Sequence, residues 1–516
     1  MTEKNKQAEQ SKALVIGEGR ITIDDVVSVS RGRAVTLAKG EAFRSRIVRG
    51  ARYLEERLSI GDTVYGVNTG YGESCHTDVP AELVEDLPIH LSRYHGCGLG
   101  KFLSPPASRA VMVCRLTSLA QGYSGVRIEL LEGIEALLNN NILPRIPEEG
   151  SVGASGDLTP LSYIAAALIG ERTVLFNGSV RPAAKALAEA RIRPLKLAPK
   201  EALGIMNGTA VMTALACLAF DRSEYLTRLT ARITALASIA LSGNKGHFDP
   251  RLFALKPHQG QNEVAAWIFN ELPSEPGETS RIQDRYSIRC APHVIGVLRD
   301  ALTWIRRDIE NELNSANDNP LIDPDEGWVL HGGHFYGGHV AFAMDGLKAA
   351  VAGLADLMDR QMALLVDHRY SNGLPQNLSG STGTRAAINH GFKAVQIATS
   401  AWAAEALKLT MPAASFSRST ECHNQDKVSM GTIAARDGLR ILELTEQVTA
   451  ALILACSQGV QLREKLSTGH YKKLPAEIRA FHESVAFKYL DEDRPLDEEL
   501  RAVIEDIHNK RWELYK

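Results

Sequence analysis

The stretch from Gly150 to Pro160 contains the residues whose types are best suited to chemistry. It reads Gly-Ser-Val-Gly-Ala-Ser-Gly-Asp-Leu-Thr-Pro, and such a run of small residues lets two backbone segments approach closely. Gly156 can bring its amide nitrogen against the carbonyl group of Ala154, a compression that a Cβ atom would hinder. Ser155 supplies a hydroxyl group whose elimination leaves a methylene group. These residue types suit an internal cyclisation that makes an electrophile, although Ala-Ser-Gly alone is typical of a flexible loop.

The extended stretch resembles the signature of the histidine, phenylalanine and tyrosine ammonia-lyases and the related aminomutases. The resemblance implies that the nitrogen of Gly156 attacks the carbonyl carbon of Ala154, and that two waters are lost to give a 4-methylidene-imidazol-5-one group (MIO). Ser155 would provide the methylidene carbon. The chain would therefore form its own electrophile for the substrate amine, and no external cofactor is implied. Further matches run from about Ile21 to Leu466.

A tyrosine and an asparagine are implied to act beside this electrophile. Tyr65 opens the block Tyr-Gly-Val-Asn-Thr-Gly-Tyr-Gly, and the resemblance assigns it the removal of the β-proton, whereas a lone tyrosine near glycines is usually structural. An unperturbed phenol has a pKa of about 10, so we expect surrounding donors or positive charge to lower the pKa of Tyr65. Asn207 is implied to lie against the electrophile and the substrate carboxylate, with a helix-terminal Asn-Gly turn as the alternative.

A second block, Gln283 to Pro292, is implied to bind the substrate carboxylate. Arg289 is the implied clamp, because a planar guanidinium group can bind a carboxylate through two hydrogen bonds. Tyr286 is implied to be a second catalytic hydroxyl, and its i to i+3 spacing from Arg289 would place both on one side of a helical turn. The other substrate-binding residues implied by the resemblance, outside the ring-selectivity positions, are Gly72, Gln283 and Phe335.

Two positions indicate the side chain of the substrate. Tyr94 and His95 stand where the resemblance places the ring-selectivity pair, and both can hydrogen-bond a phenol. Gln425 stands where histidine ammonia-lyases carry glutamate, and a neutral amide cannot pair with a charged imidazole. The sequence therefore predicts elimination of ammonia from L-tyrosine to give p-coumarate. A histidine ammonia-lyase, a tyrosine 2,3-aminomutase and a structural relative that has lost the chemistry are the alternatives.

Some residues depart from the family pattern or imitate other sites. His334, Tyr336 and Glu421 replace residues that are more usual in these enzymes. His331, His334 and His339 invite a metal site, but neither a carboxylate nor a cysteine lies at helical metal spacing, so we predict no metal. The glycine-rich stretch that ends at Lys101 lacks the spacing of a phosphate-binding loop.

Helical periodicity dominates the chain from about Glu201 onward, which predicts the long helices that must position these residues. One segment repeats apolar residues at steps of three and four and stops at Asn-Asp-Asn-Pro; its members are Ile295, Leu298, Leu302, Ile305, Ile309 and Leu313. A second segment repeats the pattern with Val340, Met344, Leu347, Val351, Leu354 and Met358. Ile433 to Leu466 offers a third, and Ala210 to Ala240 is apolar on several faces, which indicates burial all round.

The predicted fold is mainly α, and the resemblance implies a long-helix bundle of the fumarase/aspartase-like type with a smaller, loop-rich N-terminal domain. We predict a flexible N-terminus at residues 1–20, the MIO domain at 21–200 and a central and C-terminal helical bundle at 201–516. Asn-Gly between apolar residues predicts a surface hairpin from Thr173 to Arg181.

Composition limits the partners. The chain has 516 residues, of which 44% are hydrophobic and 23% charged, and its net charge is −3, which argues against nucleic acid and for a small ligand. The resemblance implies that this small molecule is an aromatic amino acid. Seven scattered cysteines and the lack of an export signal favour the cytoplasm, and no apolar stretch is long enough to span a membrane. The resemblance implies a homotetramer with active sites shared between subunits.

Overall fold

The computed structural model describes residues 12–274, 281–466 and 474–515. It is mostly helical, as the sequence predicts. The α-helices described are α1 (Ile23–Ser30), α2 (Glu41–Ser59), α3 (Leu87–Tyr94), α4 (Pro105–Leu119), α5 (Ile128–Asn139), α6 (Leu158–Leu168), α7 (Ala183–Glu189), α8 (Glu201–Met206), α9 (Ala210–Ala240), α10 (Pro250–Phe253), α11 (Gln259–Glu271), α12 (Tyr286–Arg289), α13 (Ala291–Leu313), α14 (Gly338–Val366), α15 (Lys393–Lys408), α16 (Gly431–Leu466), α17 (Ala476–Ser484) and α18 (Asp497–His508). Short 3-10 turns occupy Gly72–His76, Ala81–Leu83, Lys245–Phe248, Gln376–Leu378, Gly383–Ala387 and Ala413–Phe416.

The strands are short and form small sheets. They are β1 (Leu14–Ile16), β2 (Val35–Leu37), β3 (Leu99–Phe102), β4 (Leu143–Pro144), β5 (Pro147–Glu149), β6 (Thr173–Phe176), β7 (Ser179–Pro182), β8 (Leu321–Asp323) and β9 (Trp328–Leu330). β1 pairs in parallel with β2, β3 pairs with β5, β8 pairs with β9, and β6 lies between β4 and β7.

The predicted hairpin is confirmed as β6 and β7. Asn177 and Gly178 form its turn with φ of 49° and 72°, the left-handed backbone that favours this dipeptide. The hairpin is less exposed to solvent than the prediction of a surface hairpin implies, because β4 pairs with β6 and the side chains of Val174 and Phe176 are buried.

The chain divides into two compact units. Unit 1 contains Met1–Asp221, Arg306–Asp345 and Pro412–Arg436, and unit 2 contains Arg222–Ile305, Gly346–Met411 and Asp437–Lys516. The predicted flexible segment 1–20 lies outside the described residues as far as residue 11, and β1 follows within it. The domain boundaries at residues 20 and 200 stay predictions.

The long helices have the buried faces that periodicity predicts. All six apolar residues singled out in α13 and all six in α14 are buried. α13 ends at Leu313, a few residues before the predicted Asn-Asp-Asn-Pro stop. A buried apolar stripe of this length is the main source of stability for such helices.

α9 is buried around much of its circumference, including its polar positions. Thr213, Thr227 and Thr230 are each buried, and each donates its hydroxyl proton to the carbonyl oxygen four residues earlier, at 2.7–2.8 Å. Each of these threonine hydroxyls therefore has its hydrogen-bond partner within the backbone of the same helix. A helix that contains threonine can therefore be buried without polar partners elsewhere.

Buried ion pairs accompany the apolar contacts in unit 2. Arg222 donates to both carboxylate oxygens of Glu446, at 2.9 and 2.7 Å, and Glu446 is almost completely buried. The paired geometry offsets the desolvation of the carboxylate. Among the residues described, no helix is both long enough and apolar enough to cross a membrane.

Candidate active site

The Ala-Ser-Gly triplet forms a tight turn in unit 1 that is packed backbone against backbone. Ser155 and Gly156 have φ of 50° and 77°, and this left-handed conformation is uncommon for serine. Gly156 pairs with Gly208 in a parallel bridge, and a Cβ atom at Gly156 would overlap the carbonyl oxygen of Gly208. The next amide, that of Asp157, donates to the same oxygen at 2.7 Å. Only glycine fits at position 156, because the backbone of Gly208 occupies the space that a side chain would need.

Asp157 anchors the end of this turn. Its Oδ2 accepts hydrogen bonds from the amides of Val211 and Met212 in the first turn of α9, at 3.0 and 2.9 Å. Its Oδ1 accepts from the hydroxyls of Ser151, at 3.1 Å, and Thr432. Burial raises the pKa of Asp157 above its ordinary value, while these donors oppose the increase. The carboxyl group therefore ties both sides of the turn to α9 and to the start of α16.

Two amide side chains converge on Ser155. Asn207, at the end of α8, donates its Nδ2 proton to the carbonyl oxygen of Ser155 at 2.9 Å, and Gln425 donates its Nε2 proton to the Ser155 hydroxyl at 3.2 Å. The Oε1 of Gln425 accepts from the hydroxyl of Thr420 at 2.8 Å. The Oδ1 of Asn207 is buried and has no partner among the described residues. Three predicted site residues, far apart in sequence, are thus in direct contact.

Tyr65 is held by the turn that follows it. The amide of Gly72 donates to the Tyr65 hydroxyl oxygen at 2.8 Å, and Gly72 has a φ of 59°. Burial raises the pKa of Tyr65; the Gly72 donor lowers it, and the charge of Glu421 raises it further. The predicted lowering of the pKa of Tyr65 is therefore wrong within this chain, because desolvation outweighs the single donor.

Glu421 was noticed in the sequence only as a departure from the family pattern. Its carboxylate accepts the amide proton of Glu73 at 3.0 and 3.2 Å, and a Cβ atom at Gly72 would overlap it. Glu421 therefore holds the turn that carries the donor to Tyr65. No local sequence signal connects these residues, since Glu73 and Glu421 are separated by 348 positions.

Glu421 lies in a loop of unusual backbone conformation. Residues 421–423 have φ of 49°, 51° and 68°. This left-handed backbone conformation is unfavourable for L-residues. Thr420 and Gln425 close the loop through two backbone hydrogen bonds, at 3.0 and 3.3 Å. The closed loop presents Glu421 towards Gly72 and Gln425 towards Ser155.

Tyr94 and His95, the predicted selectivity pair, lie at the end of α3. Their ring centroids are 4.4 Å apart, and the Nδ1 of His95 is 3.0 Å from the carbonyl oxygen of Leu91. Burial lowers the pKa of His95, which favours a neutral ring, and a proton on Nδ1 leaves Nε2 as an acceptor. Burial raises the pKa of Tyr94, and the charges of Tyr65 and Glu421 raise it further. The pair therefore offers neutral hydrogen-bonding groups near Tyr65.

The segment before α14 contributes a histidine beside the candidate base. The ring of His331 meets that of Tyr65 edge to face, with centroids 6.5 Å apart. Phe335 is half-buried, and the Tyr336 hydroxyl donates to the carbonyl oxygen of Val428 at 3.3 Å. No cluster of potential metal ligands occurs in the described part of the chain. The sequence drew attention to His331 only as a possible metal ligand, and no local signal indicated its contact with Tyr65.

The predicted carboxylate-binding residues lie in unit 2. Tyr286 and Arg289 form the ends of α12, and the guanidinium carbon of Arg289 lies 4.7 Å from the centroid of the Tyr286 ring. The i to i+3 spacing thus brings the two side chains together, as expected. Arg289 also donates to the carbonyl oxygen of Asp284 at 2.9 Å, and Gln283 and Tyr286 are exposed. Their roles with substrate stay predictions.

Comparison with known proteins gives consistent results. Residues 21–486 match the family described as aromatic amino acid lyase. The histidine ammonia-lyase of Gloeobacter violaceus is 36% identical over 498 residues, which is 95% of each chain. The solved structure of tyrosine aminomutase from Streptomyces globisporus has a TM-score of 0.90 and 31% identity over 97% of each chain. That of histidine ammonia-lyase from Trypanosoma cruzi has a TM-score of 0.87 and 29% identity, covering 97% of this chain and 94% of the other.

Proposed function

Because the chain belongs to the aromatic amino acid lyase family and is a carbon–nitrogen lyase, we propose that unit 1 holds a site that eliminates ammonia from an aromatic amino acid. The observation that carries the proposal is the turn at Ala154, Ser155 and Gly156. Gly156 is pressed against Gly208, and Asn207 fixes the carbonyl group of Ser155. These contacts suit closure of the triplet to MIO.

In the proposed reaction the chain's own residues hold the electrophile and move the proton. MIO supplies an electrophilic methylidene for the substrate amine and makes ammonia a feasible leaving group. Tyr65 takes the β-proton as its phenolate, and the Gly72 amide at 2.8 Å stabilises that phenolate before the transfer. Asn207 and Gln425 orient Ser155. In the proposed homotetramer, whose subunits share active sites, Gln283, Tyr286 and Arg289 are proposed to bind the substrate carboxylate, and Phe335 to line the pocket.

Histidine is the first candidate substrate. The curated relatives are named histidine ammonia-lyases at about 36% identity. The carboxylate of Glu421, beside Gly72, could pair with a charged imidazole, since charge-assisted hydrogen bonds are stronger than neutral ones. This carboxylate comes from a different position than the glutamate expected at 425.

Tyrosine is the second candidate, supported by the residues around Ser155 and at the end of α3. Gln425 is neutral and already bonded at both ends of its amide. Tyr94 and His95 offer neutral groups that can hydrogen-bond a phenol. A site with such partners disfavours phenylalanine, because its apolar ring would leave them unpaired.

The deciding experiment is a comparison of substrates. Purified protein is incubated separately with L-histidine, L-tyrosine and L-phenylalanine, and released ammonia and the arylacrylate product are measured by mass spectrometry. Ammonia with urocanate supports histidine, and ammonia with p-coumarate supports tyrosine. A β-amino acid without ammonia would indicate an aminomutase, the activity in the name of a solved relative. No product with any of the three would contradict the proposal.

Assembly and location belong to the same proposal. We propose a cytoplasmic homotetramer in which subunits share active sites, as the family resemblance implies. Size-exclusion chromatography with light scattering of the purified enzyme measures the assembly directly. A stable monomer with full activity would contradict the shared site.

Replacing Gln425 with glutamate is expected to shift the preference towards histidine. A carboxylate at this position could accept a charge-assisted hydrogen bond from imidazole, which is worth about 1 kcal/mol more than a neutral one. We expect the ratio of kcat/KM for histidine over tyrosine to rise roughly fivefold. Thr420→Val, which removes a partner of Gln425 without adding charge, is the control, and an unchanged ratio in Q425E would contradict the assignment.

Replacing Glu421 with glutamine is expected to move the pH profile to lower pH. The charge of Glu421 raises the pKa of Tyr65, so its removal lowers that pKa and lets Tyr65 lose its proton at lower pH. The amide oxygen of glutamine can still accept the Glu73 proton, which preserves the turn. The measurement is the low-pH limb of kcat/KM. Glu73→Gln is the control, because it removes a neighbouring side-chain charge and leaves the backbone amide that donates to Glu421 in place. An equal shift in both variants would contradict a specific role for Glu421.

A further inference from the structure

A buried arginine lies behind the residues that hold the Ala-Ser-Gly turn. Arg115, in α4, is completely buried. It donates through Nη1 to the Oδ1 of Asn317 at 3.1 Å and through Nη2 to the carbonyl oxygen of Gly204. Its Nε has no partner among the described residues. The side chain therefore holds the backbone of α8 at Gly204.

A second buried ion pair accompanies Arg115. The Nζ of Lys200 is 2.6 Å from the Oδ2 of Asp318, and neither side chain is exposed. Burial lowers the pKa of Arg115 to about 10, and the charge of Asp318 opposes this, so the guanidinium stays charged at neutral pH. Two cations and one anion are thus buried together, and each of them has lost the solvation of water. Packing alone gives no reason for this arrangement.

Gly208 connects Arg115 with the Ala-Ser-Gly turn, because it is in close contact with both. A Cβ atom on Gly208 would overlap the Nη1 of Arg115 and would lie 2.6 Å from the carbonyl oxygen of Asn317. Gly208 also lies against Gly156, and its carbonyl oxygen accepts the amide proton of Asp157 at 2.7 Å. Gly208 is therefore in close contact with both the guanidinium group and Gly156, the residue whose nitrogen must attack.

We propose that Arg115 is a positioning residue for closure of the MIO ring. The inference rests on the proposed function, because it concerns the formation of that function's electrophile. In the closure, the Gly156 nitrogen bonds to the Ala154 carbonyl carbon, and the carbonyl oxygen leaves as water with the amide hydrogens of Gly156 and Ser155. The Ser155 hydroxyl leaves as a second water with the Cα hydrogen of that residue. Arg115 keeps Gly208 from receding while the Gly156 nitrogen is pressed towards the carbonyl carbon.

The experiment follows the loss of two waters by intact mass rather than by activity. Full-length wild type, R115M and R115K are made by cell-free translation, and the dehydrated fraction of folded protein is measured over time. We expect the initial dehydration rate of R115M to be at least about fivefold below wild type. R115K, which keeps the charge but not the planar fork, should lie between them, and it carries the test if R115M does not fold.

Arg109 provides a matched control on the same helix. It is also buried, and it donates to the carbonyl oxygens of Val29 and Leu138 at 2.8 and 2.9 Å, but none of the hydrogen bonds described for it involves the turn. R109K should lose thermal stability to a similar extent and still dehydrate at the wild-type rate. Folded R115M and R115K that dehydrate like wild type would overturn the inference, as would equal slowing in R109K. Wild type that keeps its full encoded mass would instead refute the electrophile itself, and this is visible without any variant.

Discussion

Replacing Ser155 with alanine is expected to abolish the methylidene group and nearly all ammonia release. The alanine side chain has no oxygen to eliminate, so the exocyclic methylene cannot form. Loss of the reacting group in a covalent mechanism lowers kcat/KM by roughly 10³-fold or more. The variant should fold, because the only side-chain contact described for the Ser155 hydroxyl is its 3.2 Å hydrogen bond from Gln425. Intact mass and the rate of ammonia release are the two measurements.

Ser151→Ala is the matched control for this prediction. Ser151 lies in the same turn and donates to Asp157 at 3.1 Å, but its hydroxyl does not belong to the triplet. S151A should therefore still lose two waters, whereas S155A should not. If S155A released ammonia within tenfold of the wild-type rate, the triplet could not be the source of the electrophile, and the proposed function would have to be abandoned.

The helical part of the fold was predictable because its signals are local. The apolar stripe of α13 repeats every three or four residues, and each of its six positions is buried. The Asn-Gly turn between β6 and β7 is equally local, since two adjacent residues determine its backbone. The extra pairing of β4 with β6 was not foreseen, because strand pairing between distant segments leaves no mark in either segment.

The candidate site was predictable only in its local motifs. The blocks around Tyr65 and Ser155 could be recognised from their residue types. The structure brings Asn207 and Gln425 into contact with Ser155, and their roles with substrate stay predictions. The environment of Tyr65 was not predictable, because the carboxylate that raises its pKa comes from Glu421, in a distant loop. Burial and distant charge are properties of the folded chain, and both act against the lowering that the sequence suggested.

Replacing Tyr65 with phenylalanine is expected to separate proton transfer from formation of the electrophile. Phenylalanine cannot accept the β-proton, and loss of a general base lowers kcat by roughly 10²–10⁴-fold. The triplet and its contacts are untouched, so the intact mass should still show the loss of two waters. Tyr71→Phe is the control, because Tyr71 is a second mostly buried phenol of the same block whose pKa burial also raises. It should keep most of the rate, and an equal loss in Y71F would contradict the assignment.

The pH dependence of the wild-type enzyme tests the same role from the opposite direction. Tyr65 must be ionised to accept a proton, and burial raises its pKa above the ordinary value. Below that pKa the ionised fraction rises about tenfold per pH unit, so kcat/KM should increase with pH well into the alkaline range. Y65F should lack this rise of kcat/KM with pH, whereas E421Q should show the same rise displaced to lower pH. A flat profile in the wild type would mean that a group other than Tyr65 removes the proton, since no other assigned role in unit 1 requires the loss of a phenolic proton.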